Sequence, residues 1–278
     1  MSKANQEQVE YWNGRAGTTW VNYQERMDAM LEPLSAATLA SAAVQAGERV
    51  VDVGCGCGAT SLALAREGAS VWGLDISAMM LERAVARGRE AGLEQVTFSE
   101  TDAATQAFAP EHDLIFSRFG VMFFSDPSAA FANLRTALKP GGRLCFLCWR
   151  KPRENPWMSV AGAAIQPLLP EPASPPDPRA PGPFAFADPD YITAILEGAG
   201  YRDVTVTAVD RTVHLADSLD DALDFQAQIG PLARALAELD EDALEQARAL
   251  ARAALAEHVS DDGLNLGAAC WLVQARNG

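Results

Sequence analysis

Val50-Val51-Asp52-Val53-Gly54-Cys55-Gly56-Cys57-Gly58-Ala59-Thr60 decides the reading of this chain. A short apolar run ends, glycine recurs at every second position, and a helix-forming stretch follows. Glycine there permits positive φ and lets backbone N–H groups approach a ligand with no Cβ in the way. Gly54, Gly56 and Ala59 also satisfy a loose GxGxxG/A dinucleotide fingerprint, a weak match when it stands alone. Asp52 separates the alternatives. Two positions before the first glycine, its carboxylate is expected to face a ligand at the carboxyl edge of a sheet, where an anionic pyrophosphate would be repelled and a cationic group attracted.

On either side of the loop, residues 48–150 alternate apolar runs with helical stretches. The runs are Arg49–Val53, Ser70–Leu74, Val96–Ser99, Asp113–Ser117 and Gly142–Trp149. Strands alternating with helices of roughly 10–15 residues predict right-handed crossovers and a parallel sheet. Lys139-Pro140-Gly141-Gly142 reads as a helix stop and turn. Residues 1–46 read as an N-terminal helical cap segment, with Tyr11, Trp12, Trp20 and Tyr23 early and an Ala-rich helix over Ser35–Ala46. Residues 151–190 form a proline-rich stretch with nine of the 16 prolines between Pro167 and Pro189, predicting a long loop packed by Leu168, Leu169, Phe184 and Phe186. Residues 191–278 complete the core: a helix over Pro189–Ala199, a strand over Tyr201–Val209, a helical insertion over 217–257 and a last strand over Gly263–Ala275. The expected fold is a Rossmann-like α/β architecture, a seven-stranded and mostly parallel sheet with helices on both faces and a cap of helices and loops.

The chain has 278 residues with 22 Lys+Arg against 37 Asp+Glu, a net charge of −15 with His neutral. That balance disfavours nucleic acid as a partner, since phosphate binding draws on Lys and Arg. No stretch approaches the 18 or so apolar residues of a membrane helix, and the polar start lacks the order of a signal peptide, so a cytoplasmic protein with no membrane partner is expected. The five cysteines (Cys55, Cys57, Cys145, Cys148 and Cys270) read as free thiols. Cys145 and Cys148, three apart in a strand, point to opposite faces and would not share an ion, so no metal is expected.

The acids repeat at successive strand ends. Asp75 closes Val71-Trp72-Gly73-Leu74-Asp75, where a carboxylate can accept from both ribose hydroxyls. Asp102 follows the third run, where an acid can accept from an adenine amino group. Three acids at three strand ends suit a nucleoside with a cationic end, and S-adenosylmethionine carries both an ammonium and a sulfonium.

Taken together, DVGCGCG, GLDIS, TDA, DLIFSRFGVMFF and LKPGGRL resemble a class I SAM-dependent methyltransferase, most similar to the broad group that includes the ubiquinone/menaquinone biosynthesis methyltransferases. The resemblance covers residues 10–150 motif by motif and the remainder by layout. It places the family's [DE]xGxGxG pattern on Asp52, Gly54, Gly56 and Gly58, with Cys55 inside the cofactor loop. The ribose acid falls on Asp75, Ile76 lies against the adenine, and the adenine-contacting pair falls on Asp102 and Ala103. The acceptor is expected near Ser117–Phe124, a segment lacking the Asn/Asp-Pro-Pro-Tyr/Phe arrangement that grips a nucleic acid base, so a small-molecule methyl acceptor is implied, methylated on O, N or C.

Ser117 reads as a cofactor contact or as a small strand-ending residue. Arg118 reads as an anchor for a carboxylate or as a helix-end salt bridge. Phe119 and Met122 read as core or as acceptor pocket. Tyr11 and Trp20 are the best pocket candidates of the entry helix, through attraction of ring faces for a cation. No general base stands out: His112 opens a strand at its amino end, the wrong edge for chemistry, and is expected to be solvent-exposed, His258 closes a helix, and His214 and Tyr11 are the remaining weak candidates. With the N-terminal helices and the proline loop, 217–257 would cap the acceptor pocket. A homodimer is compatible with this layout. A non-catalytic SAM-binding protein and an NAD-dependent oxidoreductase are the alternative readings.

Overall fold

The computed structural model describes residues 3–170 and 177–278, with side chains from residue 5 onward. The chain divides into two compact units, one of 1–149, 179–209 and 270–278, the other of 150–178 and 210–269.

The first unit opens with helices α1 (Lys3–Asn13), α2 (Arg15–Asn22) and α3 (Gln24–Ala42). The Ala-rich helix therefore begins 11 residues earlier than Ser35 and runs through Pro33. An interior proline costs about 3 kcal/mol. The helix survives because Met27, Met30, Leu31 and Leu34 lie on one stripe and are almost wholly buried, each such side chain contributing about 1.5–3 kcal/mol.

Strands β1 (Arg49–Val53), β2 (Ser70–Asp75), β3 (Val96–Glu100) and β4 (His112–Arg118) follow, separated by α4 (Ala59–Arg66) and α5 (Ala78–Glu90). Then come α6 (Pro127–Arg135), β5 (Leu138–Trp149) and α8 (Pro189–Gly198); α7 (Pro156–Ile165) lies between the last two, in the second unit. The expected turn at Lys139–Gly142 is instead part of β5. There Leu138 pairs with His112 and Arg143 with Leu114, so the extra residues bulge out of the ladder with Gly141 at φ +78°.

Strands β6 (Tyr201–Ala216) and β8 (Gly263–Asn277) both extend past the Val209 and Ala275 ends expected for them, and a two-residue β7 (Val259–Ser260) pairs with β8. Their residues 210–216 and 263–269 belong to the second unit. The sheet order is β3-β2-β1-β4-β5-β8-β6. β1 to β5 pair in parallel and β8 runs antiparallel to β5. This is a mixed, mostly parallel Rossmann-like sheet flanked by helices, as expected. The chain steps from β1 outward to β3 and then returns to β4, which puts a switch of direction between β1 and β4. Ligands of open α/β sheets bind at that crevice, outside the carboxyl ends of the strands.

The second unit gathers α7, α9 (Leu219–Gln226), α10 (Gly230–Leu236) and α11 (Glu241–Ala256). α7 falls where a loop was expected over 151–190, because Pro156 opens the helix at its first turn, the one position where a missing N–H costs nothing. Residues 171–176 of the proline-rich stretch lie outside the described residues. Its far end is packed as expected, with Phe186 1% exposed among Phe131, Phe146 and Tyr191. Among the described residues no helix is long and apolar enough to cross a membrane.

Candidate functional site

Gly54, Gly56 and Gly58 all have positive φ, at +67°, +54° and +82°. At Gly54 a Cβ would stand 2.6 Å from the Cα of Gly120, so β1 and the turn after β4 approach backbone to backbone. Most of the loop's amides are already engaged. Gly54 and Cys55 donate to the Leu74 carbonyl, Gly58 donates to the Cys55 carbonyl, and Gly56 donates to Oδ2 of Asp75 at 2.7 Å. A phosphate cradle needs free amides. This loop has spent them on β2 and on a carboxylate, which argues against a pyrophosphate.

Asp75 ends β2 half-buried. Its Oδ1 accepts from the Ser77 N–H at 2.9 Å and its Oδ2 from Gly56. Each oxygen retains a lone pair, so the carboxylate can still accept from a vicinal diol. Burial raises its pKa, against the backbone donors that lower it. Asp102 accepts from the Ala104 N–H on Oδ1 at 2.9 Å, and on Oδ2 from Asn5 Nδ2 at 2.7 Å and Thr105 Oγ1 at 3.2 Å. Ala103 is buried, and its carbonyl accepts from Asn133 Nδ2. Ile76 is half-buried with its carbonyl held by Asn13 Nδ2 at 2.8 Å.

Asp52 departs from the expectation. It is 0% exposed, lying in the central strand between Gly73 of β2 and Phe116 of β4. Oδ2 accepts from Thr60 Oγ1 at 2.8 Å and Ser61 Oγ at 2.6 Å, tying down the first turn of α4, while Oδ1 is buried with no partner. Desolvation pushes its pKa up to about 6, against the pull of the two hydroxyls and of Arg118. Its carboxylate therefore acts through the loop and through charge and does not stand open at the edge. The free lone pairs of Asp75, with the charge of the buried Asp52 behind a loop whose amides are committed, fit a nucleoside with a cationic end.

Ser117 is a structural residue. It is fully buried, donates to the Val53 carbonyl at 2.7 Å and accepts from the Gly120 N–H at 3.2 Å, closing the floor between β1 and β4. Arg118 forms no helix-end salt bridge. Its Nη1 donates to Ser35 Oγ at 2.6 Å, its other N–H groups have no protein partner among the described residues, and burial lowers its pKa. That leaves a guanidinium fork able to take a carboxylate. Phe119 adopts a left-handed backbone, φ +65°, and stacks on Trp149 with centroids 4.0 Å apart and planes at 6°. Met122 is 1% exposed, with its sulfur against the Trp149 N–H, so it belongs to the core and not to a pocket.

At the N-terminal helices, Trp12 packs edge-on to Phe123 at 5.1 Å and Trp20 to Trp12 at 6.3 Å, while Tyr11 is 38% exposed. Trp12 is thus more buried than Tyr11, which with Trp20 was the expected pocket residue of this helix. His112 lies at the amino end of β4 as expected, but it is buried and stacked on Trp72 where a solvent-exposed side chain was expected. His214 lies in the second unit with both ring nitrogens engaged, by Asn265 Oδ1 and by Asp217 Oδ1, each at 3.1 Å. A free general base is not what that geometry offers. Burial pushes the Cys57 thiol up to about 12 and raises Cys55 well above the ordinary thiol value, so neither is a nucleophile. Among the described residues no group of three or more His, Cys, Asp or Glu could hold an ion.

Several site residues had no sequence signal. Arg87 Nη1 donates to the Cys57 carbonyl at 2.6 Å and its Nη2 to Asp28 at 2.7 Å, bracing the glycine loop from α5 to α3. Asn5, Trp12 and Asn13 bring α1 onto the loops after β2 and β3. Only Thr60-Ser61, hydroxyls in the first turn after the glycines, carried a legible hint.

The fold is that of class I SAM-dependent methyltransferases, and residues 50–142 match the family model described as a methyltransferase domain. Together the fold and this match support a SAM-dependent methyltransferase. It is 29% identical over 233 residues to an uncharacterized protein of Mycobacterium tuberculosis, covering 81% of this chain and 84% of that one. Over 104 residues it is 38% identical to the aklanonic acid methyltransferase of a Streptomyces species, 36% of this chain and 47% of the other, so the match spans about half of that enzyme. Among solved structures, the phosphoethanolamine N-methyltransferase 2 of Haemonchus contortus, in complex with S-adenosyl-L-methionine, superposes with a TM-score of 0.54 at 20% identity, over 88% of this chain and 52% of that one.

Proposed function

We propose that the chain methylates a small organic molecule on O, N or C. The observation that carries this reading is the edge of β4, where Arg118 offers an open guanidinium and Phe119, held at φ +65°, stacks flat on Trp149. A strained residue at a strand end of this kind is a common feature of sites that must aim a group. The net charge of −15 supports a free molecule over a nucleic acid, and a Streptomyces relative named for a small acid supports it further.

When bound, S-adenosylmethionine supplies an electrophilic methyl group on a sulfonium. Asp75 would hold the ribose, Asp102 the adenine end, and Arg118 the methionine carboxylate. Trp12 and Phe123 would cover the sulfonium region with ring faces and exclude water. Among the described residues of the first unit no histidine stands at the carboxyl edge, so the protein's contribution is alignment and desolvation. This reading favours acceptors that are nucleophilic without deprotonation by the enzyme, or that ionise easily, such as amines and acidic phenols.

A methyl-donor assay over phenols, amines and thiols tests it, reading S-adenosylhomocysteine formed. Turnover on members of the panel supports the reading. Cofactor binding with no turnover on any of them supports a non-catalytic role instead.

A further inference from the structure

Helix α1 carries one unexplained group. Asn5, Gln8, Trp12 and Asn13 fall on one face at helical spacing. Three of the four are bound to the rim of the nucleoside site: Asn5 Nδ2 donates to Asp102 Oδ2 at 2.7 Å, the Trp12 carbonyl accepts from Ser77 Oγ at 2.7 Å, and Asn13 both donates to the Ile76 carbonyl at 2.8 Å and accepts from the Ala78 N–H at 3.0 Å. Gln8 stands between them, one turn from Asn5 and one from Trp12, about 4.5–6 Å along the axis either way. Its Oε1 is buried with no hydrogen-bond partner. An orphaned buried amide oxygen costs about 1–3 kcal/mol, so a donor is missing.

The acids of the rim, Asp75 and Asp102, supply acceptors and not donors. A ligand seated at this rim can supply the donor. Resting on the cofactor assignment above, the ribose hydroxyls belong to Asp75, and the adenine exocyclic amine has two N–H groups. Asp102 can take one of them; its Oδ2 already accepts from Asn5 and Thr105, leaving limited capacity for the other. We propose that the Gln8 carboxamide oxygen accepts the second N–H of the adenine exocyclic amine, making α1 part of the cofactor site and not only its cover. Asn5, Trp12 and Asn13 then act as positioning residues that set the register of α1 so that Gln8 meets the base.

Binding calorimetry tests this without turnover. S-adenosylhomocysteine is compared with its purine-riboside counterpart, in which hydrogen replaces the amino group, on the wild-type protein, Gln8→Leu and Gln8→Met. The wild type binds the amino compound about tenfold or more tighter than the desamino one. Both variants weaken the amino compound about tenfold, equivalent to one hydrogen bond of about 1.4 kcal/mol, and the desamino compound by less than about twofold. Unchanged affinity of both variants for the amino compound overturns the proposal, and so does an equal loss for both compounds, which is what a merely covering helix would show. A wild type that bound neither compound would overturn the cofactor assignment beneath it.

Discussion

The Gly56 N–H donates to Oδ2 of Asp75 across 2.7 Å, joining the middle of the glycine loop to the end of β2. This hydrogen bond ties the conformation of the loop to the orientation of the acid proposed to hold the ribose, which the Ser77 N–H fixes from its other oxygen.

Removing the Asp75 carboxylate therefore acts twice. Hydrogen bonds to a charged group contribute about 1.5–3 kcal/mol. Asp75→Ala is expected to weaken S-adenosylhomocysteine binding by about 10- to 100-fold or more, measured by calorimetry. Asp75→Asn, which keeps an acceptor oxygen, loses less. An unchanged dissociation constant for Asp75→Ala contradicts the ribose assignment.

Gly54 tests the close approach of β1 and the β4 turn. With a Cβ 2.6 Å from the Gly120 Cα at φ +67°, Gly54→Ala must move backbone against backbone. Gly92 has a similar φ of +64° but nothing within 4 Å, so Gly92→Ala carries the conformational cost alone. Chemical denaturation should show a loss of about 1 kcal/mol for Gly92→Ala and clearly more, about 2–4 kcal/mol, for Gly54→Ala. Equal losses would mean that the contact is not tight.

Asp52 links binding to pH. Burial holds its pKa at about 6 against the ordinary 3.8. Between those values the native state keeps a proton that the unfolded chain has released, so ionising Asp52 costs the native state stability as pH rises through that window. A cationic ligand favours the ionised form. Binding therefore releases up to about one proton, and affinity rises as pH rises through about 6. Calorimetry near pH 5.5 in buffers of differing ionisation enthalpy measures that release. Asp52→Asn should abolish it, and a wild type that takes up protons on binding would contradict the charge argument.

Ser117 separates structure from binding. Losing its hydroxyl leaves the buried Val53 carbonyl without the donor it has at 2.7 Å. Ser117→Ala should lower stability by about 1–3 kcal/mol with cofactor affinity changed less than about threefold. A folded variant of normal stability that no longer bound the cofactor would restore Ser117 as a direct contact.

Much of this site was legible because its signals are local. Glycine at 54, 56 and 58 is demanded by positive φ, and acids at 75 and 102 follow strand ends that the apolar runs mark out. Asp52 was read at the right position with the wrong exposure. Its burial depends on neighbours from β2 and β4 and on the first turn of α4 folding back onto it, all of them tertiary facts. The bulge at Lys139–Gly142 has turn-like residues that a strand can also hold, and only the pairing of β4 decides between them. Asn5 and Gln8 gave no signal because polar residues on a short helix look the same whether they face solvent or a ligand. The extension of α3 through Pro33 was hidden for the opposite reason, a strong local signal overridden by a buried stripe.

The most direct test of the central claim is a calorimetric titration of the purified protein with S-adenosylmethionine and with NAD, side by side at pH 7.5. The structure predicts binding of S-adenosylmethionine at one site per chain and no heat of binding for NAD, because the loop amides a pyrophosphate needs are committed to Leu74, Cys55 and Asp75. Binding of NAD in preference to S-adenosylmethionine would contradict it.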